Sequence, residues 1–251
     1  MPERFDIEKF IEYKKTVEKE RPILTVGSRL ITIDGVDGVG KSTIARKVFE
    51  KLQKRYGEDT IIMAKDLIGT EQKRLEELIR NKKLVNKKQI DDAYSAMMNR
   101  MYKEVVVPAL EERKIVIIDR SELDLLRYAI GSGEKDLVER RLKQIQDGTV
   151  THRLWAGNRI FIKASAEDIE HNLSQRMQNW SSDPKSRDEI EERINIEEEA
   201  KKTILSTPCE GRVNVIKKEN KRQDDLEKQE VYLGKLAEEI IEELNLPNQE
   251  K

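Results

Sequence analysis

The chain is poor in the residues that build catalytic dyads, zinc sites and disulfide frameworks. It has 1 cysteine and 2 histidines among 251 residues. A lone Cys209 excludes an internal disulfide framework and fits a reducing compartment. His152 and His171 have no nucleophile signature beside them, and with one cysteine they make a poor zinc ligand set. Aromatic residues amount to 5%, and no apolar run approaches the roughly 18 residues needed to cross a bilayer. The opening residues, M-P-E-R-F-D-I-E-K, hold no apolar segment of signal type. The expectation is a soluble, cytoplasmic protein with no membrane partner.

An excess of one charge is lacking as well. Lysine and arginine number 48 against 49 aspartate and glutamate, a net charge of −1. No overall field draws the chain to nucleic acid, so phosphate binding must be the work of a local site. Charged residues make up 39% and hydrophobic ones 37%, against about 25% charged in an average domain. That balance suits long exposed helices around a lean core. The length allows one α/β domain with an appendage.

What is present begins at Leu30-Ile31-Thr32-Ile33-Asp34, a β-branched run that falls into G-V-D-G-V-G-K-S-T and then into a helical pattern. Gly35, Gly40, Lys41 and Ser42 satisfy G-x-x-x-x-G-K-[ST]. The dinucleotide fingerprint G-x-G-x-x-G is not met, because the glycines read G-x-x-G-x-G. A loop of this kind turns successive backbone N–H groups toward a phosphate, and the helix start adds partial positive charge. Gly35, Val36, Asp37, Gly38, Val39, Gly40, Lys41, Ser42 and Thr43 are therefore the candidate ATP-binding residues. Lys41 reaches the β- and γ-phosphates, and the Ser42 hydroxyl is placed to ligate Mg²⁺.

Residues 5–19 read as a helix capped by Asp6 and closed by Pro22, followed by an edge strand at 23–26. Residues 1–28 are thus expected as an N-terminal helical extension packed on the domain or on a partner chain, the second arrangement giving a homodimer. The domain that carries the glycine loop is expected to cover 29–251. Its first helix runs to about Tyr56, with Gly57 in the C′ position. A strand at 60–64 ends at Lys65 and Asp66, and Thr70 opens a helix carrying Leu75, Leu78 and Ile79. A long helix spans 89–113, bent at Pro108. The central strand Ile115-Val116-Ile117-Ile118 ends in Asp119-Arg120-Ser121. A helix at 135–146, strands at 159–163 and 211–217, and a closing amphipathic helix at 232–246 complete the pattern. The alternation implies a three-layer P-loop NTPase fold, a parallel five-stranded sheet flanked by helices.

Ligands of such sheets bind beyond the carboxyl ends of the strands. The loop, Asp66 and Asp119-Arg120 all stand there. Asp119 sits where a strand-end carboxylate holds Mg²⁺, making Ser42 and Asp119 the metal pair, and Arg120 can grip an acceptor phosphate. Between 175 and 193 a helical pattern breaks at Ser, Ser, Asp and Pro, which reads as a helical lid bearing Arg176 and Arg187. Lys41, Asp119, Arg120, Arg176 and Arg187 are the catalytic candidates.

The loop, Asn99-Arg100 within a long helix, P-A-L-E-E-R-K-I-V-I-I-D-R at 108–120 and the arginine-bearing lid together resemble thymidylate kinase. The resemblance implies ATP- and Mg²⁺-dependent phosphorylation of a nucleoside monophosphate, dTMP to dTDP. It implies substrate contacts from Asp37 to the acceptor sugar, from Arg100 to the base and from Arg120 to the acceptor phosphate, with Asp66 and Tyr128 in the same site. Arg176 or Arg187 would be the lid arginine.

Three positions depart from that pattern. The ring expected four residues before Arg100 is Ala96, with Tyr94 nearest; Lys65-Asp66-Leu67-Ile68 lacks the expected arginine; and Ser121 replaces the tyrosine after D-R. Asp66 and Asp119-Arg120-Ser121 resemble instead the deoxynucleoside kinases, in which a strand-end acid deprotonates a sugar hydroxyl. A nucleotide-dependent regulatory ATPase, docking through residues 1–28, is the reading of another class.

Overall fold

The computed structural model describes residues 25–64, 77–78, 81, 86–119, 121–175, 184, 186–223 and 225–246. The expected helices at 5–19 and after Thr70 lie outside these residues, apart from 77–78 and 81.

Five parallel strands form one sheet in the order β2-β3-β1-β4-β5. They are β1 Thr25–Asp34, β2 Ile61–Met63, β3 Ile115–Asp119, β4 Leu154–Lys163 and β5 Asn214–Glu219. The helices are α1 Lys41–Tyr56, α2 Lys87–Met101, α3 Val107–Glu111, α4 Glu122–Ser132, α5 Lys135–Gln146, α6 Ala166–Ser174, α7 Arg187–Leu205 and α8 Leu226–Glu243. The expected strands at 159–163 and 211–217 are observed with shifted ends, β4 starting five residues earlier and β5 three later. Residues 25–26 join β1 rather than forming an edge strand of their own, with a register irregularity between Gly27 and Ile31.

Period-two alternation sends successive side chains to opposite faces. Ile31 and Ile33 of β1 and Ile115 and Ile117 of β3 pack with Ile44, Val48 and Leu52 of α1 and Leu236 and Ile240 of α8. Leu30, Val116 and Ile118 face the other way, against Met98 and Met101 of α2 and Leu125 of α4. A third cluster joins α4, α5 and α7 through Leu126, Leu142 and Ile204, with Trp155 and Phe161 of β4. The sheet is therefore buried on both sides, which is why β3 reads as an unbroken apolar run.

Helix starts follow their caps. Asn86, Ser121, Ser165, Ser186 and Asp225 each accept a backbone N–H in the first turn of α2, α4, α6, α7 and α8. The α1 start differs: Gly40 stands there at φ 92° with no side-chain cap. The bend expected from Pro108 takes the form of a π-helical turn, Tyr102–Val106, between α2 and α3. Proline lacks the N–H for the carbonyl four residues back and its ring crowds it, and the wider turn accommodates both.

Candidate active site

β1 and β3 are paired in parallel, with Ile33 opposite Asp119, so the loop after β1 and the end of β3 emerge side by side. Ser42, in the first turn of α1, donates its hydroxyl to Oδ2 of Asp119 at 2.6 Å. These two oxygens, one neutral and one anionic, form a donor set that suits a hard divalent cation such as Mg²⁺. The residues present fit that ion.

The loop backbone requires glycine. At Gly35 (φ 151°) a Cβ would lie 2.5 Å from the carbonyl oxygen of Ile162, and at Gly40 2.6 Å from Nδ2 of Asn220. Asn220 Nδ2 donates to the Val39 carbonyl at 2.8 Å, and Asn172 of α6 to the Gly38 carbonyl at 2.9 Å. Carbonyls of the loop are thus turned to the protein side, consistent with N–H groups turned to a phosphate.

Lys41 is buried. Its ammonium donates to the carbonyls of Gly35 (2.5 Å) and Val36 (2.9 Å) and lies 3.6 Å from Asp37 Oδ1. The other oxygen of Asp37 faces two guanidiniums, Arg127 and Arg193, each at 3.7 Å. Arg127 of α4 also donates to the Gly35 carbonyl at 3.1 Å, to Asp124 at 2.5 Å and to Glu197 of α7 at 3.2 Å. Burial disfavours charge on Arg127, but Asp124, Asp37 and Glu197 outweigh it and hold its pKa above the usual arginine value. Burial likewise pushes the Glu197 carboxyl up, and Arg127 counters only part of that.

Beneath the loop lies a second buried charge group. Ser121 donates to Oδ1 of Asp34 at 2.7 Å, tying the end of β1 to the cap of α4. Arg159 of β4 is paired with Glu122 and stacks 4.2 Å from the Trp155 ring. Burial pushes Asp34 up to about 7, although Arg159 and the Ser121 hydrogen bond pull it down.

Of the residues expected from sequence, the structure brings together the whole run from Gly35 to Thr43 with Asp119. Asp66, Arg120 and Arg176 lie outside the described residues, as does most of the expected lid at 175–193. Arg187 is exposed at the start of α7, 3.5 Å from Glu191, and Arg100 is exposed on α2, bonded to Glu104 at 2.9 Å. Tyr128 is half-buried in α4, its ring 6.2 Å from that of Tyr94. Burial, then Asp91 and Glu134, raise its phenol pKa.

Arg127 and Arg193 were not legible in the sequence. Helix α4 follows a D-R-S turn with no periodic run that stood out, and Arg193 is one of many charges on α7. Its i+4 relation to Glu197 on one helix face is the signal available.

The parallel sheet, the glycine loop and the Ser42–Asp119 pair define a P-loop NTPase fold. Beyond that class, the family model for thymidylate kinase matches residues 33–146. Curated relatives include thymidylate kinases of Ehrlichia ruminantium (strain Gardel), 37% identical over 95 residues covering 36% of this chain and 45% of the relative. Another is that of Rickettsia typhi, 31% identical over 98 residues covering 39% of this chain and 46% of the relative. The chain thus spans less than half the length of the curated relatives it matches. A crystal structure of thymidylate kinase from Ehrlichia chaffeensis superposes with TM-score 0.53 at 17% identity, covering 84% of this chain and 97% of that one, which shows the shared fold. The resemblance read from the loop and the D-R strand end is therefore borne out.

Proposed function

We propose that the chain transfers the γ-phosphoryl group of ATP to a nucleoside monophosphate, dTMP being the first candidate. The observation that carries this reading is that the thymidylate kinase match, 33–146, contains both the loop and Asp119, which the fold joins through Ser42 at 2.6 Å.

In this reading the loop amides and the Lys41 ammonium grip the β- and γ-phosphates, and Ser42 and Asp119 hold Mg²⁺, which supplies charge neutralisation at the transferring group. Phosphoryl transfer asks little covalent chemistry of the protein, so positioning and positive charge carry the rate. The acceptor oxygen of a monophosphate is largely ionised near neutral pH, with a second pKa of about 6, and needs no general base. Asp37 meets the acceptor sugar, Arg120 its phosphate, and Arg100, Asp66 and Tyr128 the remainder of the acceptor. The Tyr94–Tyr128 pair offers ring surface where Ala96 does not. For the lid role Arg193 joins Arg176 as a candidate and is preferred to Arg187, because its guanidinium faces the loop carboxylate while Arg187 pairs outward. Homodimerisation through residues 1–28 remains the assembly to test by light scattering.

The experiment is product identification. Incubation with Mg-ATP and a panel of nucleosides and monophosphates is expected to yield a diphosphate from dTMP. Phosphorylation of nucleosides alone, or ADP release with no phosphorylated acceptor, overturns the reading.

A further inference from the structure

Lys41 and Arg127 share two acceptors. The Gly35 carbonyl receives the Lys41 ammonium at 2.5 Å and the Arg127 guanidinium at 3.1 Å. The carboxylate of Asp37 turns Oδ1 to Lys41 and Oδ2 to Arg127. A P-loop lysine that is to reach phosphate must exchange such contacts for phosphate oxygens, and whatever holds it to the loop works against the ligand.

We infer that Arg127 is a positioning residue: by competing for the Gly35 carbonyl and the Asp37 carboxylate, it weakens their hold on the Lys41 ammonium and eases its release to a polyphosphate. This rests on the phosphate-binding reading above.

Charge balance supports the assignment. Among the described residues, Asp37, Asp124 and Glu197 meet the cations Lys41, Arg127 and Arg193. Once Lys41 turns to phosphate, Arg127 and Arg193 remain to serve the carboxylates. Without Arg127, Asp37 draws more strongly on Lys41, at low local dielectric where such pulls are large. Arg127 is well fixed for the task. It is 14% exposed and is held from its own helix by Asp124 and from α7 by Glu197. Its planar fork lets it serve several acceptors at once, which a lysine ammonium does less well. Glu197 lies four residues after Arg193 on α7, so the same guanidinium also ties the loop to the helix that carries Arg193.

The test is a double-mutant cycle on the full chain, with Mg-ATP affinity measured by calorimetry for wild type, R127M, R127K, D37N and the two double variants. R127M is expected to weaken binding about tenfold, and R127K by about threefold. Both losses shrink by half or more in the D37N background, because the carboxylate's pull on Lys41 has gone and only that of the Gly35 carbonyl stays. Losses of equal size in both backgrounds, which a merely structural role would produce, overturn the inference. So does wild-type affinity in both R127M and R127K. If R127M does not fold, R127K and D37N form the cycle alone. A wild-type chain that binds no Mg-ATP overturns the phosphate-binding reading and this inference together, whereas normal wild-type binding with an additive cycle overturns this inference only.

Discussion

Ser42 and Asp119 are 77 residues apart in the chain and 2.6 Å apart in space, hydroxyl to carboxylate. The parallel pairing of β1 and β3 sets that distance, and α1 begins where the loop delivers it. If this pair holds Mg²⁺, Ser42→Ala and Asp119→Asn should each lower turnover by about 10²-fold and shift its Mg²⁺ dependence to higher concentration. A magnesium titration of activity checks this, and an unchanged midpoint in both variants would remove the pair from the site.

Arg193 and Arg187 stand on the same helix in different surroundings. The first faces Asp37 at 3.7 Å, the second pairs with Glu191 in solvent. Arg193→Ala is expected to reduce kcat by about 10- to 10³-fold, and Arg187→Ala to stay within about threefold, since exposed i, i+4 pairs contribute little. The reverse order in steady-state kinetics would return the role to Arg187.

The loop tolerates no side chain at its first glycine. A Cβ at Gly35 would sit 2.5 Å from a backbone oxygen of β4, in a conformation at φ 151°. Backbone strain and the clash together should cost about 2–4 kcal/mol. Thermal melting of Gly35→Ala at neutral pH measures it, and a Tm equal to wild type would contradict the packing.

Asp34 makes stability depend on pH. Its folded pKa, pushed up to about 7 by burial, lies above the ordinary 3.8. The folded chain therefore holds this proton more tightly than the unfolded chain. The contribution is fully present below about pH 4, declines as pH rises and is lost once pH passes about 7, on the order of 4 kcal/mol in all. Asp34→Asn keeps an acceptor for the Ser121 hydroxyl and removes the titration. Denaturant unfolding at pH 5 and pH 7.5 should show a larger fall for wild type than for the variant. Equal falls would mean that Asp34 titrates normally.

Much of the frame was written locally. The β-branched runs before Asp34 and Asp119, the glycines of the loop and Gly57 after α1 each act through their own backbone and neighbours, so their elements could be read directly. Helix α4 could not, although Ser121 caps it, because its apolar residues serve two clusters at once and show no single stripe. The early start of β4 was hidden for a related reason. Trp155, Gly157 and Asn158 are strand residues only because the sheet surrounds them.

By itself the sequence determined a glycine loop of the G-x-x-x-x-G-K-S pattern, with its lysine and serine, and a parallel sheet to mount them on, since those depend on short-range sterics and periodicity. The tertiary structure alone decided which charges meet. Arg127 and Arg193 come from two helices and converge on the loop carboxylate of Asp37, while Asp124 and Glu197 hold Arg127 in place. Electrostatic partnership is settled by distance and burial, and neither is a property of neighbouring positions in a chain.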